Sequence, residues 1–217
     1  MTLAEENYLK AIYHLEQQFP KGVSTNALAE EMKTKASSAT DMVKKLAEKN
    51  MLTHIPYQGA TLSDAGRDYA VNVIRRHRLW EVFLVEKLNF TWDEVHEVAE
   101  HLEHIQSDKL IDELDAFLGH PTNDPHGDPI PDKAGNFKHI EKIVLAKAEV
   151  GATYKCVGVD DSSSKFLKYL DSNKIALGTV ITINHKEPFD NSIKISLENS
   201  EIVVSQSVAK NLYIKKV

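Results

Sequence analysis

Residues 24–62, STNALAEEMKTKASSATDMVKKLAEKNMLTHIPYQGATL, decide the fold. Ser24 is a capping residue for a short helix over Thr25 to Met32, with Leu28 and Met32 on one face. Lys33-Thr-Lys-Ala36 breaks it. Ser37 or Ser38 opens a second helix to about Asn50, with Met42, Val43 and Leu46 apolar. Met51 to Leu62 holds two short extended runs around Gln58-Gly59, where glycine suits a positive φ. Helix, break, helix, hairpin is the order of a winged helix-turn-helix. In that geometry the second helix enters the major groove, its N-terminal residues facing base edges. Lys35, Ser37, Ser38, Thr40, Asp41 and Lys44 are therefore candidate DNA contacts, with Tyr57 and Gln58 on the hairpin. Lys45 is a further candidate for phosphate. Small hydroxyl side chains allow close approach to bases, and lysines supply phosphate affinity.

Upstream, residues 2–18 read as a helix with Leu9, Ile12, Tyr13 and Leu15 at helical spacing, stopped by Pro20-Lys-Gly22. Downstream, Ser63 starts a long helix to about Leu88. Thr91-Trp-Asp-Glu94 is a capping-box pattern opening a helix to about Ile105, and Ser107 caps another. Residues 119–136, GHPTNDPHGDPIPDKAGN, carry too much Pro and Gly to continue a helix and read as a linker. Beyond them the pattern shifts to short β-branched runs at Ile143, Tyr154, Val180, Ile193, Ile202 and Leu212, with one helix near Ser163 to Leu170. The expected fold class is mainly α with a small β domain. Its parts are a winged helix-turn-helix at 1–72, a helical domain with a Pro-rich linker at 73–136, and a small barrel at 137–217.

Net charge is −6 over 217 residues, which at first argues against nucleic acid. The charge is unevenly placed: 0 over residues 1–75, −9 over 76–135 and +3 over 136–217. Six of the ten histidines, His77, His96, His101, His104, His120 and His126, share the acidic middle. The acidity therefore lies off the DNA-reading segment and coincides with imidazoles. One cysteine, Cys156, excludes a disulfide framework and a Cys-rich zinc site. No apolar run of 18 residues and no signal peptide is present, so a cytoplasmic location without membrane contact is expected.

His77 and Glu81 are spaced i, i+4; His96, Glu100, Glu103 and His104 fall at i, i+4, i+7 and i+8. On two facing helices these form a nitrogen and oxygen donor set for one or two divalent cations. A di-iron carboxylate bundle would need Glu-x-x-His pairs, and a zinc protease His-Glu-x-x-His; neither occurs in the chain. Catalysis is thereby disfavoured. A helical metal-binding protein or metalloenzyme without DNA binding stays as the alternative.

Three stretches carry a resemblance: Arg76-His-Arg-Leu-Trp-Glu81; His96-Glu-Val-Ala-Glu-His-Leu-Glu-His104 with Ser107-Asp108; and Asp124-Pro-His-Gly-Asp-Pro-Ile-Pro131. In this order they resemble the diphtheria toxin repressor family of iron- and manganese-dependent repressors. The resemblance implies a homodimer with a C-terminal SH3-like, FeoA-like barrel. It implies a palindromic double-stranded DNA operator, and repression of metal-uptake genes when two metal sites per protomer are loaded. His77, Glu81 and His96 would form an ancillary site. Glu100, Glu103 and His104 would form the regulatory site with Asn7 from the first helix, and Asp160 of the barrel is a further candidate. Asp124 and His126 are candidates in place of or beside His96. Glu100 stands where iron-type relatives have Cys, and Asp124 replaces a Cys common at that linker position; both harden the ligand set toward Mn(II), with Fe(II) also compatible. Asn7 stands where the family has Met or Asp. Lys10 stands where small manganese regulators have Glu, which argues against their closely spaced metal pair.

Overall fold

The computed structural model describes residues 1–217 except 56–58 and 139–140, with backbone only at 54 and 55. The chain divides into two compact units. The first comprises residues 1–77, 100–111 and 131–137; the second comprises 78–99, 112–130 and 138–217. Among the described residues no helix is long and apolar enough to cross a membrane.

The first unit opens with α1 (Leu3–Gln18), capped by a full Thr2–Glu5 capping box. Then come α2 (Thr25–Glu31), capped by Ser24, α3 (Ala36–Glu48), and the hairpin β1 (Leu52–Ile55) and β2 (Gly59–Leu62). The strands pair antiparallel from Leu52↔Leu62 to Ile55↔Gly59. Gly59 has φ +99°, and a Cβ there would stand 2.5 Å from the Val23 carbonyl oxygen, so the hairpin seats only a glycine. Leu9, Ile12, Leu28, Ala39, Val43, Leu46 and Leu52 share one core. Helix α3 starts earlier than the serine signal predicts. Its N-cap is Lys35, without a side-chain cap, which places Ser37 and Ser38 inside the first turn. The hairpin tip with Tyr57 and Gln58 lies outside the described residues.

Helix α4 (Asp64–Leu88) runs from the first unit into the second's residues, and α5 (Val95–Leu102) and α6 (Asp108–Phe117) follow. Thr91 makes half of its predicted box: its N–H donates to Glu94, while its hydroxyl turns to Asp93. Helix α5 ends at Leu102, and the N–H of Ile105 closes a turn onto the Leu102 carbonyl. Glu103 and His104 therefore sit past the helix, and the single four-residue face expected from spacing does not form.

The second unit holds a six-stranded antiparallel sheet in the order β3-β8-β4-β5-β6-β7. The strands are β3 (Ile143–Val144), β4 (Thr153–Val159), β5 (Val180–Lys186), β6 (Ile193–Leu197), β7 (Ser200–Val204) and β8 (Leu212–Lys216). Helix α7 (Ser164–Ser172) matches the predicted helix, and a short α8 (Gln206–Lys210) was not legible from period. Alternating residues such as Tyr154, Cys156, Ile181, Ile183, Ile193, Ile195, Leu212 and Ile214 fill the core, and Trp92 packs against it. The segment read as a linker is pinned instead. Asp124 and Asp128 close a turn, Ile130 bonds Thr122, and the Val159 N–H donates to the His126 carbonyl at 2.9 Å. Gly127 has φ +87°, and a Cβ would meet the Val157 carbonyl oxygen at 2.1 Å, so this loop lies directly on the β4 backbone.

Candidate metal centres and reading helix

In the first unit, α1 presents Glu6, Asn7 and Lys10 along one side, and Glu6 is fully buried. Glu6 accepts from Tyr69 at 2.6 Å and Gln106 at 2.8 Å, and its second oxygen lies 2.5 Å from His104 Nδ1. Glu103, also fully buried, takes Lys10 Nζ at 2.7 and 2.8 Å on its two oxygens, and His77 Nδ1 at 2.5 Å. His104 Nε2 lies 3.8 Å from Glu103, and Lys10 reaches Glu100 at 3.4 Å. Arg76 Nε donates to the Glu103 carbonyl at 2.6 Å, fixing the turn that carries it. Burial alone would raise the Glu103 carboxyl; the His77 hydrogen bond and the Lys10 charge outweigh it and hold it below the usual range. Burial and the Glu6 carboxylate push the Tyr69 hydroxyl up to about 12. The buried Oδ1 of Asn7 has no hydrogen-bond partner among the described residues. Two buried carboxylates held by imidazoles, with an orphaned carbonyl on the same helix α1, are donors of the kind a hard divalent cation takes.

In the second unit, Glu81, Asp124 and His126 each offer a ligand atom within 4.8 Å of the others, and all three are buried. Glu81 lies 3.5 Å from His126 Nδ1 and, through its other oxygen, 3.5 Å from His96 Nδ1. His126 Nε2 donates to the Trp92 carbonyl at 2.7 Å, which leaves Nδ1 aimed at Glu81. Asp124 Oδ1 accepts the N–H groups of His126 and Asp128 at 2.8 and 2.9 Å. Arg78 stands 3.5 Å from Asp124 and also binds the Pro129 carbonyl. Burial, then the charges of Glu81 and Asp128, push the Asp124 carboxyl up to about 7 against Arg78 and His126. For His126, burial favours the neutral ring, but the Glu81 hydrogen bond and charge outweigh it and push it up to about 9. Protons are held where negative charge is in excess, so this donor set also fits a cation.

The structure thus gathers Glu100, Glu103 and His104 with α1, as the sequence predicts, and adds Glu6, which sequence reasoning missed. Its place in the first helical turn disguises it as an ordinary complement to the helix dipole. His77, Glu81 and His96, expected as one set, do each offer a ligand atom within 4.8 Å of the others, and His77 Nδ1 also lies 2.5 Å from Glu103. Asp124 and His126 join Glu81. Asp160 is not brought to either set; its exposed carboxylate accepts from the Tyr213 hydroxyl at 2.7 Å. Cys156 is buried in the core of the six-stranded sheet, its thiol pushed up to about 11 by burial.

On α3, Ala39, Val43 and Leu46 face the core, leaving Lys35, Ser37, Ser38, Asp41 and Lys44 exposed on the other side. Thr40 is half-buried and its hydroxyl donates to the Ala36 carbonyl at 2.8 Å. Lys45, a phosphate candidate whose side chain is half-exposed, also pairs inward: with Lys49 it clamps the fully buried Glu5 at 2.9 and 2.7 Å. Those bonds, Lys49 foremost, followed by the Thr2 N–H, lower the Glu5 carboxyl to about 2.

Family models match in chain order. An iron-dependent repressor N-terminal DNA-binding domain covers residues 1–60, and an iron-dependent repressor metal-binding and dimerisation domain covers 63–132. A FeoA domain covers 143–216. The iron-dependent repressor IdeR of Mycobacterium tuberculosis is 32% identical over 126 residues, 58% of this chain and 54% of its own. The match thus spans about half the length of that curated relative. A solved manganese-dependent transcriptional repressor in complex with manganese is 34% identical at a TM-score of 0.87, over 98% of this chain and 100% of its own. The manganese regulator SloR is 32% identical at a TM-score of 0.78, over the whole of both chains.

Proposed function

We propose, from the premise that this chain belongs to the iron-dependent repressor family, that it is a metal-dependent transcriptional repressor. It acts in the cytoplasm as a homodimer on a palindromic DNA operator, responds to Mn(II) in preference to Fe(II), and represses metal-uptake genes. The preference rests on the donor set, which is carboxylate, amide and imidazole without thiolate. The repressor relatives give no reason to assign catalysis. The division at 1–72, 73–136 and 137–217 is kept, supported by three separate family matches.

The observation that carries this reading is the place of α1. Glu6 and Lys10 of the winged-helix segment share one cluster with Glu103 and His104, and Asn7 lies between them in sequence on α1. Two residue sets would hold cations. One is Glu81, Asp124 and His126, with His96 beside Glu81; the other is Glu6, Asn7, Glu103 and His104, with Glu100 and His77 beside Glu103. A bound divalent cation supplies the positive charge these carboxylates lack. Glu103 and His104 hold the fixed end through Arg76. Glu6 and Asn7 hold the α1 end. Glu5, the preceding residue, takes Lys45 of α3 and Lys49 at its C-cap, so fixing α1 fixes the C-terminal end of the reading helix. DNA selects that arrangement, and the two ligands raise each other's affinity, typically by about 1–3 kcal/mol. Fluorescence anisotropy on a palindromic operator tests this: affinity rises on adding Mn(II) or Fe(II) and falls with chelator. Equal affinity in both conditions refutes it.

A further inference from the structure

Lys10 already occupies the place of a cation. Its Nζ lies 2.7 and 2.8 Å from both oxygens of Glu103 and 3.4 Å from Glu100. Glu103 has no exposed surface, and the Lys10 side chain keeps only 15%. With His77 on one oxygen as well, the Glu103 carboxylate spends its near-side acceptor capacity on groups of this chain. A buried carboxylate without such partners would be strongly disfavoured, so the ammonium is what lets the cluster exist before any metal arrives. One turn back on the same helix, the orphaned Asn7 Oδ1 faces no donor among the described residues. The cluster therefore has one acceptor waiting and one already taken.

We propose that Lys10 is a tethered counter-cation which sets the metal affinity of the first-unit cluster. A divalent cation gains Glu103 only by exchange for the ammonium. Loading is a substitution, Nζ leaving the two carboxylate oxygens as the cation takes them, and not an addition to a vacant anionic cage. Lys10 thereby makes the cluster a weaker binder than its donors alone would be, and raises the free-metal level at which the repressor responds. The inference rests on the repressor reading for the presence of metal, but concerns a residue that holds none.

Two measurements test it. The first uses the unaltered protein. Lysine acylation followed by mass spectrometry is run in chelator and in saturating Mn(II), with free Mn(II) read by electron paramagnetic resonance in the same samples. Lys10 is expected to be protected in chelator and to gain reactivity several-fold with Mn(II), while Lys35 and Lys44 stay constant. Mn(II) binding with Lys10 reactivity unchanged or reduced overturns the proposal. No Mn(II) binding at all overturns the repressor reading instead. The second uses Lys10→Met and Lys10→Arg. Lys10→Met is expected to lower the thermal midpoint in chelator and to tighten one class of Mn(II) site by about tenfold, the equivalent of about 1.4 kcal/mol. Lys10→Arg keeps the charge and leaves both values close to those of the unaltered protein. A folded Lys10→Met with unchanged or weaker Mn(II) binding refutes the exchange. If it does not fold, the acylation result decides alone.

Discussion

Replacing Asp124 with Asn should make the metal-free protein more stable, and more so as pH rises. Asp124 is buried beside Glu81, and its carboxyl is pushed up to about 7 from 3.8. The folded chain therefore holds this proton more tightly than the unfolded chain. Its contribution is neutral below about pH 4, grows unfavourable as pH rises, and levels off above about pH 7. Each unit of pH within that window costs about 1.4 kcal/mol. Between pH 5 and pH 8 the carboxyl loses about two units' worth, on the order of 2–3 kcal/mol. Asn escapes that loss. Its Oδ1 can keep the two backbone donors, His126 N–H and Asp128 N–H, while its amide can donate toward Glu81. Two effects trim the gain: Arg78, 3.5 Å away, loses an acceptor, and His126 loses one of the charges that favours its ionised form. Urea unfolding in chelator should show the variant gaining about 1–2 kcal/mol over the parent between pH 5 and pH 8. With Mn(II) the order should reverse, because the parent gains metal binding and the variant has lost a ligand. A stability difference that stays flat across this pH range, or that turns against the variant at pH 8 in chelator, refutes the reasoning.

Three further outcomes follow from other contacts. Glu103→Gln should abolish metal-dependent operator binding in anisotropy while the dimer persists in gel filtration; leaving the Lys10 ammonium half-paired should cost about 2–4 kcal/mol in chelator. Lys44→Ala should weaken binding evenly across operator sequences and flatten the salt dependence by about 0.9 in log–log slope, provided Lys44 meets one phosphate. Gly127→Ala should destabilise the second unit by about 2–3 kcal/mol, because a Cβ there drives into the β4 carbonyl at positive φ. In the same variant Mn(II) affinity should fall, since the strained loop carries Asp124 and His126 immediately before the glycine.

The winged helix was legible because each of its parts has a local cause. Ser24 caps α2, Gly59 permits the hairpin, and Leu28, Val43 and Leu46 repeat at helical spacing. The SH3-like sheet was legible because its strands are short β-branched runs. The sites were legible in residue type and less so in grouping. Spacing placed His96, Glu100, Glu103 and His104 on one face, but helix α5 stops at Leu102 and sends the last two elsewhere. No local rule announces that stop, since Arg76 fixes it from another helix by binding the Glu103 carbonyl. The same limit hid Glu6 and the commitment of Lys45 to Glu5. Both are buried charges satisfied by partners tens of residues away, which periodicity does not encode. The Pro- and Gly-rich segment was correctly a loop and wrongly a linker. Gly127, read there as a breaker, is what allows the loop to lie on β4.

The two clusters solve one electrostatic problem in opposite ways. Each buries carboxylates that could not remain ionised without compensation. In the first unit Lys10 lies on both oxygens of Glu103, whose carboxyl stays low. In the second, Arg78 stands 3.5 Å from Asp124 and shares itself with Asp128 and Pro129, so Asp124 retains its proton to about pH 7. One site is thus guarded by a lysine and the other by a proton. Acidification should weaken metal binding at Asp124 and His126 first, because protons there compete directly with the cation for donor atoms. The Glu103 carboxyl is held below the usual range, and its competitor is the Lys10 ammonium. The −9 of residues 76–135 is accordingly not uniform. Part of it answers to pH and part to Lys10, which lies outside that segment, on the helix that braces the reading head.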